Sequence, residues 1–168
     1  RIKDHFDYVC DFTIAAGEHI PKDPRPLEEE EVAHITNMVI DELLELLSTR
    51  FTPEEARKII STRLEPGNSK VIPYIDQISQ SETLAEQMDA FMDIYYYMLH
   101  AGAKANIDWT KIFDLVHKAN MNKRNPETGK FERYPGTQKI IKPPGWEPPD
   151  VLTYIRDHLS KNIDRFGL

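Results

Sequence analysis

Apolar residues three and four positions apart recur along this chain, and they constrain its fold more than any other feature. Val32, Ile35, Val39, Leu43 and Leu46 form one such series, and Leu84, Met88, Phe91, Tyr95 and Met98 form another. With about 3.6 residues per turn, each series falls on one side of an α-helix as a stripe suited to burial. Strand signals are nearly absent, since no Val/Ile/Thr-rich run alternates every second residue between Asn-Gly or Asp-Gly turns. The expectation is an all-α fold, a helical bundle.

Capping residues and breakers divide the pattern. A first helix is expected over about 4–16, ending near Gly17, before a connector in which Pro21, Pro24 and Pro26 forbid a helix interior. A second begins between Pro26 and Glu28, carries Glu28 to Glu31 in the first turn where the helix dipole favours them, and runs to about Thr49. Thr52-Pro53-Glu54-Glu55 reads as a capping box with Pro at the first helical position, giving a helix over 53–64 that stops before Pro66-Gly67. Residues 65–80 carry no clear signal. Ser81-Glu82 opens the next helix, expected to reach about His100 and to close at Gly102, and Asp108 caps another from Trp109 to about Met121. A long Pro/Gly-rich stretch follows, of a length that is functional or disordered in compact domains. A last amphipathic helix covers Asp150 to about Asn162. One domain over 1–168 is expected, with 26–121 as the helical core that carries the chemistry, 122–149 as a loop and 150–168 as a C-terminal helix.

Charge and cysteine content narrow the function classes. The net charge of −7 disfavours sequence-independent binding of a nucleic-acid polymer, which needs a basic surface. Residues 121–142 differ from the rest: six basic side chains against Glu127 and Glu132 make this segment +4, leaving −11 elsewhere. An acidic body thus carries one basic loop. Cys10 is the single cysteine, which rules out an intrachain disulfide and suits a reducing compartment, so a cytoplasmic location is expected. Neither a signal peptide nor a membrane span is readable, and the missing initiator Met suggests a trimmed chain.

The acids are patterned. Glu82, Glu86, Asp89 and Asp93 fall within an arc of about 60° on one helix face, and Asp41, Glu42 and Glu45 repeat the arrangement on the earlier helix. Like charges one turn apart repel by a few tenths of a kcal/mol per pair, and no lysines interleave with the second stripe. A cation relieves this, and hard carboxylate oxygens select Mg²⁺. For acids on a single helix the ordinary reading is a solvated face. Two such stripes, one of them in the Leu-rich DELLELL segment, favour metal binding.

Asp41-Glu42-x-x-Glu45 followed by Glu86-x-x-Asp89 resembles the EExxE…ExxD signature of the all-α NTP pyrophosphohydrolases, the superfamily of MazG-like proteins, dimeric dUTPases and phosphoribosyl-ATP pyrophosphohydrolases. His117 to Lys123, HKANMNK, is similar to the HxxNMxK segment of the last group, and Lys139 to Pro149, KIIKPPGWEPP, to the Pro-Gly-Trp segment that follows it there. The similarity extends over about residues 5–150. It implies Mg²⁺-dependent hydrolysis of a nucleoside triphosphate, or a related nucleotide, between the α and β phosphates, with Mn²⁺ as a substitute ion. Glu42, Glu45, Glu86 and Asp89 would hold the metal, and Asp41, Glu45 and Asp93 would serve the attacking water. Asn120, Lys123, Arg133, Lys139 and Lys142 would bind phosphate. The resemblance also implies a homodimer or homotetramer.

Several of these residues have an ordinary reading too. Asn120 serves equally as a helix C-cap, and Trp146 among prolines more often packs its loop onto the body than stacks on a base. Position 41 is Asp where the family's usual residue is Glu, and the interval between the acidic motifs is longer than in compact members. The first departure keeps open a non-catalytic alternative, a helical nucleotide-binding or adaptor protein on the same scaffold. A histidine-aspartate phosphohydrolase needs adjacent His-Asp, and only Asp4-His5 and Asp157-His158 occur. A di-iron bundle needs two Glu-x-x-His motifs, and only Glu31-x-x-His34 is present.

Overall fold

The computed structural model describes residues 1–68 and 78–166, with side chains through residue 159, and it is helical as the apolar spacing predicts. Its elements are α1 His5–Ala15, α2 Glu29–Ser48, α3 Pro53–Leu64, α4 Gln80–Ala105, α5 Trp109–Met121 and α6 Val151–Phe166. Among the described residues, pairing of the β type is confined to one isolated antiparallel bridge between Arg133 and Ile140. Most of the connector expected at 65–80 lies outside the described residues.

Local chemistry accounts for the helix ends. Thr52 and Glu55 form the expected capping box: the Glu55 N–H donates to Thr52 Oγ1 at 3.3 Å and the Thr52 N–H to Glu55 Oε2 at 2.9 Å. Asp108 accepts from the Thr110 N–H at 2.9 Å and starts α5. At the end of α1, Gly17 takes φ +82°, and the N–H groups of Gly17 and Glu18 bond back to Ile14 and Thr13. Those two bonds satisfy carbonyls that the helix end would otherwise orphan.

The expected stop at Gly102 is not where α4 ends. The helix runs to Ala105, and Asn106 supplies the left-handed residue at φ +54°, with its own N–H on the Ala103 carbonyl and the Ile107 N–H on the Gly102 carbonyl. Gly102 is buried in the last turn for another reason. A Cβ there would lie 2.5 Å from Trp109 Nε1, so the missing side chain is the space the indole occupies.

The chain folds as two compact units, residues 1–22 with 94–168 and residues 23–93. The expected core range of 26–121 is therefore shared between them. In the first unit, α1 packs on α5 by stacking His5 on Phe113 at 3.8 Å between ring centroids, and α6 also lies on α5. In the second, α2 packs on α3. There the connector before α2 is held to α4 by Gln87, whose amide accepts from the Leu27 N–H at 2.7 Å and donates to the Leu27 carbonyl at 2.9 Å.

Arg25 grips Glu31 with both guanidinium nitrogens at 2.7 and 2.8 Å, while Glu31 also accepts from the Glu28 N–H at 2.8 Å. The Arg25 hydrogen bonds, and then the Glu28 N–H, lower the Glu31 carboxyl to about 2. A depressed folded-state pKa gives stability that is present above the ordinary carboxyl range and is lost as pH falls from about 4.5 toward about 2. Because both side chains are 40% exposed, solvent screening limits the pair to about 1 kcal/mol or less. Glu31→Gln is expected to lower stability by that amount at pH 7 and to flatten the acid limb, as urea titrations at pH 7 and pH 3 will measure.

Burial departs from expectation. The buried hydrophobic residues among those described are three alanines, Ala16, Ala56 and Ala119. The stripes of α2 and α4 were expected to be core, yet Leu46 is 64% exposed, Met88 46% and Tyr95 44%. Val32, Ile35 and Val39 reach only intermediate burial. The helices packed together within each unit do not cover these faces, so the apolar spacing correctly gives the helix but not its burial in a single chain. Among the described residues no helix is long and apolar enough to cross a membrane.

Candidate functional site

The six predicted carboxylates of α2 and α4 all lie in the second unit. Asp41, Glu42 and Glu45 stand in the second half of α2, and Glu86, Asp89 and Asp93 in the first half of α4. Every one is exposed, although for Asp41, Glu42 and Glu45 the Leu-rich DELLELL segment predicts a place near the core edge. The reason is the uncovered apolar face beside them, with Leu43 itself 41% exposed. Each helix presents its pair, Glu42 with Glu45 or Glu86 with Asp89, one turn apart. None of the six has a salt bridge or hydrogen bond among the described residues. As hard, unpaired oxygen donors, both pairs suit Mg²⁺. The two pairs are not brought together, however: no three His, Cys, Asp or Glu among the described residues lie close enough to hold a metal. Two shallow hollows of this unit, one lined by Phe51 and Ile59, the other by Pro24, Pro26, Leu84 and Met88, include none of the six.

The basic segment belongs to the first unit and is an ordered loop. Residues 132–141 double back, the Ile141 N–H donating to the Glu132 carbonyl at 2.8 Å and the Tyr134 N–H to the Lys139 carbonyl at 3.1 Å. Three anchors fix it to the helices: Phe131 meets Phe12 edge-on at 5.4 Å, Arg133 donates to the Ala16 carbonyl at 2.7 Å, and Trp146 Nε1 donates to the Ala119 carbonyl at 2.8 Å. Arg133 also reaches Glu18 at 3.1 Å, and its buried Nε is unpartnered. Its guanidinium closes the C-terminal end of α1 and is committed there, so the loop uses it as a strut where the sequence suggested a phosphate ligand.

The other predicted loop residues fare differently. The Asn120 side chain makes no hydrogen bond among the described residues, and the C-cap of α5 is Asn122. Lys139 is exposed, and its side chain has no partner among the described residues. Lys123 and Lys142 converge on Trp146, with ammonium groups 5.6 and 4.8 Å from its ring centroid. Each contact contributes about 0.5–1 kcal/mol at an exposed site. Burial first, and then the positive charge of Lys142, lowers the Lys123 pKa below the ordinary lysine value. The indole is fixed by a turn in which the Trp146 N–H donates to the Pro143 carbonyl at 3.0 Å and Gly145 takes φ +80°. Pro and Gly at the two central positions are what a type II turn requires. Trp146 packs the loop onto the body, as expected, and its engagement by two lysines was legible only as a lysine just before a Pro-Pro-Gly-Trp turn.

Six helices among the described residues, with a carboxylate pair one turn apart on α2 and another on α4, make an all-α fold. The chain belongs to the phosphoribosyl-ATP pyrophosphohydrolase family, whose model matches residues 9–120. That range takes in both acidic motifs and ends at Asn120, before the basic loop. A crystal structure of a candidate NTP pyrophosphohydrolase from Exiguobacterium sp. 255-15 superposes with a TM-score of 0.79 at 21% identity, covering 96% of this chain and 99% of that one. At that identity the likeness speaks for the fold. No curated protein matches the sequence.

Proposed function

We propose that this protein is a Mg²⁺-dependent nucleotide pyrophosphohydrolase that cuts a nucleoside triphosphate, or a related nucleotide, between the α and β phosphates to give a monophosphate and pyrophosphate. The observation that carries the reading is the family match over 9–120, because it includes both carboxylate motifs. Glu42, Glu45, Glu86 and Asp89 are the proposed metal ligands, and Asp41, Glu45 and Asp93 the acids that orient or deprotonate water. Mg²⁺ held by these carboxylates would neutralise phosphate oxygens and acidify a water. Of the chain's own residues, the unpaired carboxylates are proposed for the ion, and Lys123 and Lys142 for the phosphates. Mn²⁺ is the expected substitute ion.

The test is incubation with each common ribo- and deoxyribonucleoside triphosphate and Mg²⁺, with products separated by ion exchange. Monophosphate plus pyrophosphate supports the assignment. Diphosphate plus phosphate places the cut elsewhere. Absence of turnover on all of them, and on phosphoribosyl-ATP, favours the non-catalytic binding role that Asp41 leaves open.

The reading includes a homo-oligomer. Val39, Leu43 and Leu46 on α2 and Met88, Met92 and Tyr95 on α4 form apolar faces of intermediate or high exposure, too extensive for an isolated chain to leave wet at low cost. A second copy would cover them. Light scattering at micromolar concentration is expected to return twice or four times the chain mass of 19.5 kDa. A monomer mass there refutes the assembly.

A further inference from the structure

Within one chain the two carboxylate pairs of the second unit are held apart, and the pin is Gln87. Its amide binds both the N–H and the carbonyl of Leu27, just ahead of α2, while Gln87 itself lies between Glu86 and Asp89 on α4. α2 is one continuous helix from Glu29, and Glu42 and Glu45 stand thirteen and sixteen residues beyond that start. At 1.5 Å per residue they are about 20 and 24 Å along its axis, whereas Glu86 and Asp89 lie within about 3 Å of Gln87 along α4. Helix side chains extend about 5–6 Å from the axis, and the oxygens on one Mg²⁺ sit about 2 Å from it. Among the described residues α2 does not pack along α4 beyond the pin, so side-chain reach does not close the gap. The four residues fit a divalent ion by donor chemistry and fail to fit it by their placement in a single chain.

The surroundings of each pair indicate where the other half of the site comes from. On α2, Met38 lies within about 40° of both acids and Leu46 within about 40° of Glu42, and on α4 Met92 lies within about 60° of Asp89; all three apolar side chains are exposed. A surface that covers these side chains also covers the acids beside them. No Lys or Arg occurs from 26 to 49 or from 78 to 103, so the acid-bearing stretches of the two helices bring no such cation to the contact. Carboxylates taken out of water without a counter-charge are strongly destabilising, and a divalent ion shared among four of them offsets that penalty.

We propose that the divalent-ion site is built between two copies of this chain, with Glu42 and Glu45 of one copy facing Glu86 and Asp89 of the other. The occupant of the exposed α2 and α4 faces is then a second copy, and the ion is part of the contact. A two-fold arrangement repeats the exchange, so each pair of copies holds two equal sites. The inference rests on the metal assignment above and adds that the ligands of one ion come from different chains.

The experiment is subunit complementation read by Mn²⁺ binding. One full chain carries Glu42→Gln with Glu45→Gln, the other Glu86→Gln with Asp89→Asn, each bears a different affinity tag, and co-expressed mixed dimers are recovered on both tags in turn. In a mixed dimer one site has lost all four carboxylates and the other keeps all four. Calorimetric titration with Mn²⁺ is therefore expected to give about half the parent's capacity at an affinity within about threefold of the parent's. Each substituted chain by itself should bind Mn²⁺ at least about a hundredfold more weakly, since two charged ligands are gone from every site. Circular dichroism confirms the fold of each variant, and the single substitutions Glu45→Gln and Glu86→Gln keep the test valid if a double variant unfolds. Mixed dimers without a parent-like Mn²⁺ site overturn the shared site, and so does a failure of differently tagged parent chains to co-purify. The Mg²⁺ turnover assay separates the two readings: turnover by the parent with no restored site in mixed dimers overturns only this inference, and a restored Mn²⁺ site without turnover overturns only the catalytic assignment.

Discussion

Replacing Glu45 and Glu86 together by glutamine is expected to reduce nucleotide turnover by about a thousandfold or more while leaving the folded chain as stable as before, or slightly more so. The two halves of this expectation have different physical sources. Each substitution removes one anionic oxygen from a proposed metal-ligand pair, and a divalent ion supplies several kcal/mol of charge stabilisation in phosphoanhydride hydrolysis, so its loss costs about three powers of ten in rate. Stability is insulated because both carboxylates are exposed and neither has a cationic or hydrogen-bonding partner among the described residues. What each has is a like-charged neighbour one turn away, Glu42 for Glu45 and Asp89 for Glu86. Neutralising one member of such a pair returns a few tenths of a kcal/mol to the helix. Turnover and Mg²⁺ affinity are measured beside urea unfolding at one protein concentration, since assembly would otherwise shift the midpoint. Parent-like turnover in the double variant would sink the carboxylate assignment. A large loss of stability would show that these acids hold the fold, a role nothing in their surroundings gives them.

Where the sequence was informative, the cause was local. Thr52 with Glu55, Asp108 and Gly17 each act within a few residues of themselves, through a side-chain oxygen or a left-handed backbone, so their meaning survives without knowledge of the tertiary fold. Gly102 misleads by the same logic. A glycine near a helix end reads as a stop, yet here its missing Cβ makes room for an indole seven residues on, and the adjacent Asn106 does the stopping. Arg133 is a second case: nothing in its neighbours in sequence indicates that its partners are Ala16 and Glu18, more than a hundred residues earlier. The apolar stripes of α2 and α4 were legible as helix faces, but what covers Leu46 or Met88 is a property of assembly and not of spacing. The candidate site divides in the same way. Its carboxylate pairs are set by helical periodicity and were readable, whereas their failure to converge within one chain, and the convergence of two lysines on Trp146, depend on tertiary placement.

Gly102→Ala is expected to destabilise the chain by about 1–3 kcal/mol, and the sign of the effect should reverse when Trp109 is also removed. Two opposing terms meet at this residue. In a helix interior alanine is favoured over glycine by up to about 1 kcal/mol, because glycine loses more backbone entropy on folding. Against that, the new Cβ would lie 2.5 Å from Trp109 Nε1 and 2.9 Å from both Cδ1 and Cε2, distances at which the indole must move. The atoms it meets belong to a rigid ring in the first turn of α5 and not to the end of a flexible chain, so the displacement is passed on to that helix. The clash therefore outweighs the propensity gain. In a Trp109→Ala background the ring is gone and only the propensity term remains, so Gly102→Ala should there raise stability by up to about 1 kcal/mol. Urea unfolding of the four proteins of this cycle, at one concentration, gives the coupling directly. Equal effects of Gly102→Ala in both backgrounds would show that the glycine serves the helix alone. A reversal of sign would establish that Gly102 is kept small by Trp109 and that the last turn of α4 and the first turn of α5 fold as one packed corner.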